Sequence, residues 1–157
     1  MQLSERIHPN AIPAWRLQFS LSGLLLFVPP VILYLIHYND VIRIEWSIAA
    51  GLIAVLLYSL GLLFWPKLRW SRWSYEVTDK GIQMRRGIFW VKHTEVPINR
   101  IQHVDTAQGP IYRYYQLAVV RLSNAATSHE IPALSVEVSE HVKNQITEMV
   151  RTAKEDV

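Results

Sequence analysis

Residues 46–65 read WSIAAGLIAVLLYSLGLLFW, 20 consecutive positions without a formally charged side chain. A helix rises ~1.5 Å per residue, so a run of this length covers the ~30 Å hydrocarbon core of a bilayer. A second run precedes it: residues 17–36, LQFSLSGLLLFVPPVILYLI, again 20 positions and again uncharged. Two buried helices of a soluble bundle are the competing reading, but such helices keep a charged stripe toward water, and neither run has one. A cleaved leader fits poorly, because the first run exceeds a signal core of ~7–15 residues and a second span follows closely. The two runs therefore predict a transmembrane helical hairpin over residues 17–65.

Details of the hairpin follow from local chemistry. Pro29 and Pro30 remove backbone donors and predict a kink in the first helix. Ser47 or Tyr58 of the second helix is expected to satisfy the freed carbonyls, and a re-entrant loop turning at the prolines is the rival arrangement. Trp15, Tyr34, Tyr38, Trp46 and Trp65 gather at the ends of the runs, where amphipathic rings sit at headgroup level. The first span is preceded by Glu5, Arg6 and Arg16, and the second is followed by Lys67, Arg69 and Arg72; the linker between them holds Asp40, Arg43 and Glu45. Positive flanks stay on the cytoplasmic side, so the expectation is a multi-pass protein of the inner (cytoplasmic) membrane with both termini cytoplasmic.

Composition agrees with this division. Of 157 residues, 50% are apolar and 18% charged, against ~25% charged in an average soluble protein, which excludes a disordered chain. Cysteine is absent, so disulfide scaffolds, thiolate zinc sites and cysteine nucleophiles are excluded. The expected organisation is an N-terminal cytoplasmic segment (1–16), the hairpin (17–65, with spans 17–36 and 46–65), a basic juxtamembrane joint PKLRWSRW (66–73) and a small domain (74–157).

That domain reads as strands with turn punctuation. Residues 75–78 and 82–85 flank Asp79-Lys80-Gly81 and predict a hairpin. Further strands are expected over 88–96, ending at Pro97, and over 101–106. A helical turn is expected over 111–116, and a strand covered on both faces over 117–122. The last strand, 129–134, contains Pro132, a sign of an edge or bulge. Ser135 is the predicted N-cap of a closing helix whose apolar stripe is Val138, Val142, Ile146, Met149, Val150 and Ala153. Six strands and a packed terminal helix make an α+β domain.

Catalytic signatures are scarce. The chain holds no GxSxG, HExxH, phosphate-cradling or dinucleotide motif. His93 with Glu95, and His103 with Asp105, each share a strand face, so a metal-dependent enzyme requires the two pairs to converge. Solvated polar positions are the simpler reading, and no catalytic residue, metal or cofactor is expected. Charge says more: residues 66–121 carry ten Lys or Arg against four acidic residues, and residues 122–157 carry three against six. Lys67, Arg69 and Arg72, interleaved with Trp70 and Trp73, are the expected membrane-surface contact, each cation adding about 1 kcal/mol near an anionic leaflet. Arg85, Arg86, Lys92 and Arg100 form a second candidate patch. The overall basic excess is too small, and too free of recognition motifs, for a nucleic-acid partner.

Two helices followed by Tyr75-x-Val77-Thr78, Gly81-Ile82, Arg86-Gly87-Ile88, Val96-Pro97-x-x-Arg100-Ile101-Gln102-x-Val104 and Arg113-x-x-x-Leu117 resemble bacterial PH-domain membrane proteins of the YdbS type. The resemblance spans the whole chain. It departs from the family at Gln116, where a glycine is frequent, and at Ala125-Ala126, a turn without glycine. It implies two N-terminal transmembrane helices followed by a PH-like antiparallel sheet or partial barrel of seven strands, closed by the C-terminal helix. Pro97, Arg100, Ile101, Gln102, Val104 and Arg113 are then mainly structural, with Ile101 and Val104 in the core. No catalytic residue comes with the family. The implied role is interaction at the cytoplasmic face, with the lipid bilayer, a larger multi-PH-domain membrane protein or a second copy as partner, in envelope maintenance or antimicrobial-stress tolerance. A sensor of anionic lipid is the alternative, since a fold does not fix its function.

Overall fold

The computed structural model describes residues 5–38, 43–124 and 127–155, with side chains as far as residue 153. Asp40, the Ala125-Ala126 turn and the Lys154 side chain lie outside the described residues. The chain forms two units, Trp15–Lys67 and Met1–Ala14 with Leu68–Val157.

The apolar unit is built from α1 (Ala11–Gly23), a 3-10 turn (Leu24–Phe27), α2 (Val28–His37) and α3 (Ile44–Ser71). Residues 11–37 are helical throughout, spanning 27 residues, and α3 spans 28, so the re-entrant arrangement does not occur. The strain of Pro29-Pro30 is taken up by the tighter 3-10 turn ahead of α2, where a proline in the first turn has no donor to lose. Ser47 does not relieve the break: its hydroxyl is buried without a hydrogen-bond partner. Tyr58 contributes its ring instead, lying between Phe19 and Phe27 at centroid distances of 6.2 and 5.7 Å. Glycine permits this approach on both helices. A Cβ on Gly61 would stand 2.2 Å from the Phe19 ring, and one on Gly23 would stand 3.0 Å from Tyr58. Small residues under aromatic rings are how helices cohere where lipid removes the hydrophobic drive.

The second unit begins before the first helix. β1 (Glu5–Arg6) pairs antiparallel with β2 (Ser74–Thr78), which pairs with β3 (Gly81–Arg86), which pairs with β4 (Lys92–Pro97). The sheet is thus a four-stranded meander whose β1–β2 connection contains the whole apolar hairpin. β1 is the seventh strand, and it escapes sequence reading because two residues carry no periodicity and their partner lies far along the chain. Ile7 is buried, the His8 N–H donates to the Ala133 carbonyl at 2.9 Å, and the Trp70 indole N–H donates to the Ile7 carbonyl at 3.0 Å. Tyr75 stands opposite Glu5, to which its phenol donates. Burial first, and that bond with the carboxylate second, hold the phenol pKa far above its ordinary value.

A second sheet holds β5 (His103–Ala107), β6 (Leu117–Ser123) and β7 (Ser128–Ser135). A short helix, α4 (Pro110–Tyr114), connects β5 to β6. The closing helix α5 (Val136–Glu155) packs on this sheet and on the 3-10 turn Ile98–Arg100. Ser135 caps it, its hydroxyl accepting the Val138 N–H at 3.3 Å. Val142 and Ile146 are buried as the stripe requires, whereas Val138 is exposed and Ser139 takes the inward position. Ser139 can enter the core because its hydroxyl donates to the Val136 carbonyl at 2.7 Å. Pro132 lies at the register shift that bulges edge strand β7, beside Ala133 with φ 54°.

Two strands differ from their expected bounds. The segment 88–91 is loop, and β4 starts only at Lys92. Gly87, at φ 123°, brings the chain back so closely that a Cβ there would lie 1.8 Å from the Trp90 carbonyl oxygen, a reversal that ends the ladder. Ile101 precedes β5 rather than opening it, because the 3-10 turn Ile98–Arg100 carries the chain from the first sheet to the second. The two sheets remain separate, a partial barrel rather than a closed one.

Candidate functional site

The predicted membrane-surface residues straddle the end of α3. The helix runs through Pro66 to Ser71, and the division between units falls just after that proline, at Lys67 and Leu68. Lys67, Arg69 and Arg72 are exposed. Arg69 also lies close enough to Tyr112 to interact with it electrostatically. The two tryptophans serve the domain instead. Trp73 is 5% exposed and belongs to the core. Trp70 is half-buried, with its indole bound to the Ile7 carbonyl. Trp73 is thereby withdrawn into the core while Trp70 stays partly exposed, because the chain turning from α3 into β2 buries an apolar surface that the sequence alone assigns to a joint.

The family motif folds where the first sheet passes to the second. Pro97 ends β4 and precedes the 3-10 turn, Ile98 and Ile101 are buried, and Arg100 is exposed between them. The Ile101 N–H donates to the Ile98 carbonyl at 3.2 Å, and the Gln102 N–H to the Ser123 carbonyl at 2.9 Å. Val104 is half-buried, and Gln102 and Arg113 project to solvent. Ile98, buried beside Ile101, escapes attention because it sits in a turn rather than on a periodic strand. Gln116 adopts φ 54°, the left-handed conformation that a glycine would accept without strain.

The basic strand residues sort by register. Arg86 stands opposite Lys92 and Arg85 opposite His93, whereas Arg100 follows the far end of β4 and joins neither. His129, on β7, is the neighbour the sequence did not connect to them. Its imidazole is held below its ordinary pKa, by burial first and then by the charges of Arg86 and Lys92. On α5, Glu140 is held below the usual carboxylate range by Lys143 and by the Thr106 hydroxyl, at 2.7 and 3.0 Å.

The two candidate acid–base pairs stand on different sheets: His93 and Glu95 face Arg85 and Gln83, and His103 and Asp105 face Ser123 and Arg121. All four side chains are exposed. Among the described residues no three His, Asp or Glu side chains gather where a metal ion could be held. In the apolar unit, Phe27, Pro30, Val31, Tyr34, Gly51 and Val55 line an open groove of about 390 Å³.

Comparison with known proteins agrees with this architecture. The profile described as "Bacterial PH domain" matches residues 20–150. The UPF0699 transmembrane protein YdbS of Bacillus subtilis (strain 168) is 38% identical, over 99% of this chain and 98% of its own length. The UPF0699 transmembrane protein YdbT of the same organism is 24% identical over 77% of this chain, a match that takes up 24% of that longer protein. No solved structure matches the chain significantly.

Proposed function

This chain belongs to the bacterial PH-domain family, and we propose that it is a non-enzymatic, two-span protein of the cytoplasmic membrane that presents its PH-like domain at the cytoplasmic face as an assembly module. One observation carries the reading: β1, ahead of the first span, pairs with β2, after the second. Strands hydrogen-bonded in one sheet occupy one side of a bilayer, so the segments flanking the hairpin share a compartment. The basic excess after the second span supports the cytoplasm as that compartment. Lys67, Arg69 and Arg72 serve there as the boundary charges that fix orientation and hold the domain near anionic headgroups. The partner we favour is a larger membrane protein carrying the same kind of domain, and the process served is envelope maintenance or antimicrobial-stress tolerance. The existence of a much longer relative with a matching segment supports that choice of partner.

Reporters fused separately to each terminus, one active only in the cytoplasm and one only outside it, test the orientation. Both ends are expected to report cytoplasm, and an external C-terminal reporter would overturn the reading. Cross-linking of the full chain in its native membrane, followed by identification of what co-purifies, tests the assembly. A multi-domain relative is the expected product, and recovery of the chain alone would remove the partner.

A further inference from the structure

The most exposed aromatic side chains of the domain sit at the tip of the β3–β4 loop. Phe89 is 79% and Trp90 87% exposed, with Val91 beside them also exposed. The two rings meet edge-on, 6.5 Å between centroids. The chain reverses closely at Gly87, ahead of this tip. At its base Arg86 and Lys92 stand directly across from each other, a like-charge pair that weakens the ladder it belongs to. Neither takes part in an ion pair among the described residues. His129 adds a third basic group whose protonation those two cations already oppose. An apolar tip above a pair of cations outside any ion pair is unfavourable in water and favourable at one kind of surface, where aromatic rings enter the interfacial layer and cations meet phosphates.

The register places this loop. Arg6 pairs with Ser74, Ser74 with Arg85, and Arg85 with His93. The β3–β4 loop therefore leaves the sheet at the end where the chain departs from β1 and returns to β2. Those are the two points joined through the apolar hairpin.

We propose that residues 86–92 form a membrane-insertion element, in which Phe89, Trp90 and Val91 enter the headgroup–acyl boundary of an anionic leaflet while Arg86 and Lys92 bind lipid phosphates. The occupant is the bilayer to which the spans already tether the domain, so insertion adds no search through solution; the inference rests on the two-span reading. It gives the domain a fixed attitude on the membrane that a helical anchor alone does not provide.

The absence of cysteine makes the test direct. A spin label on Val91→Cys, with Phe89 and Trp90 intact, reports depth in the full chain reconstituted in phosphatidylcholine vesicles with or without phosphatidylglycerol. A label on Asn144→Cys, on an exposed position of α5, is the reference. With phosphatidylglycerol present, the ratio of oxygen to water-soluble nickel-chelate collisions at position 91 is expected to rise several-fold, while position 144 stays wet. Paired Arg86→Glu and Lys92→Glu substitutions, or paired Phe89→Ser and Trp90→Ser, should abolish the rise. A wet label at 91 in anionic vesicles overturns the proposal, as does equal immersion without anionic lipid. So does a label that becomes protected only as protein density increases, which would assign the tip to a second copy. A lipid-buried label at 144 would instead sink the two-span reading itself.

Discussion

Leucines of the hairpin and isoleucines of the domain are similar side chains put to opposite use. Leu25 and Leu52 are 71% and 68% exposed, whereas Ile82 and Ile131 are fully buried. In the domain, water drives apolar groups inward, and the two sheets and α5 bury them between them. In the hairpin the surroundings are as apolar as the side chains, so nothing is gained by hiding leucine. Cohesion there comes from close approach instead, with Phe19 over Gly61 and Tyr58 over Gly23. One chain therefore uses two unrelated means of holding itself together, and a substitution should damage one without the other.

The largest separation is expected from Ile131→Ala, which empties a fully buried position and should cost the domain about 2–5 kcal/mol. Denaturant unfolding would show the loss while membrane insertion of the hairpin stays intact. Gly61→Val should act in the reverse sense, driving a branched side chain into the Phe19 ring. A cost of about 1–3 kcal/mol is expected in helix–helix association in detergent, recovered by a second change, Phe19→Ala. Ser135→Ala removes the cap of α5 and should lower domain stability by about 1 kcal/mol. Gln116→Gly should raise it by up to ~1 kcal/mol, because relief of the left-handed strain outweighs the added freedom of the unfolded chain.

The smallest effect is a pH slope. His129 is depressed in the fold, so on acidification the unfolded chain takes up its proton first, near pH ~6.5. The His129 contribution to domain stability should therefore be complete above that value and be lost as pH drops below it. His129→Asn should flatten the slope in a melting series, and the hairpin should show no counterpart.

Legibility followed the range of the forces involved. The two spans, the β2–β3 hairpin, the cap at Ser135 and the bulge signalled by Pro132 were all readable, because each depends on neighbours within one or two turns of chain. β1 was not: Glu5 and Arg6 become a strand only because Tyr75 and Ser74 lie beside them. Trp70 and Trp73 look like headgroup residues in a basic stretch, yet the fold buries Trp73 and half-buries Trp70. Phe89 and Trp90 mislead the other way, reading as strand while standing exposed in a loop. Arg86, Lys92 and His129 are scattered in sequence and gather only across two sheets.

By itself the sequence determined that this protein has a membrane part and a β-rich part, and the kind of structure each adopts. Hydrophobic run length and side-chain periodicity are local quantities that a single pass along the chain can measure. Tertiary structure alone decided that the hairpin is inserted between the first and second strands of a sheet, so that both flanks of the membrane segment close one fold. That decision rests on backbone hydrogen bonds between segments far apart in sequence, and such pairing leaves no mark on either segment alone.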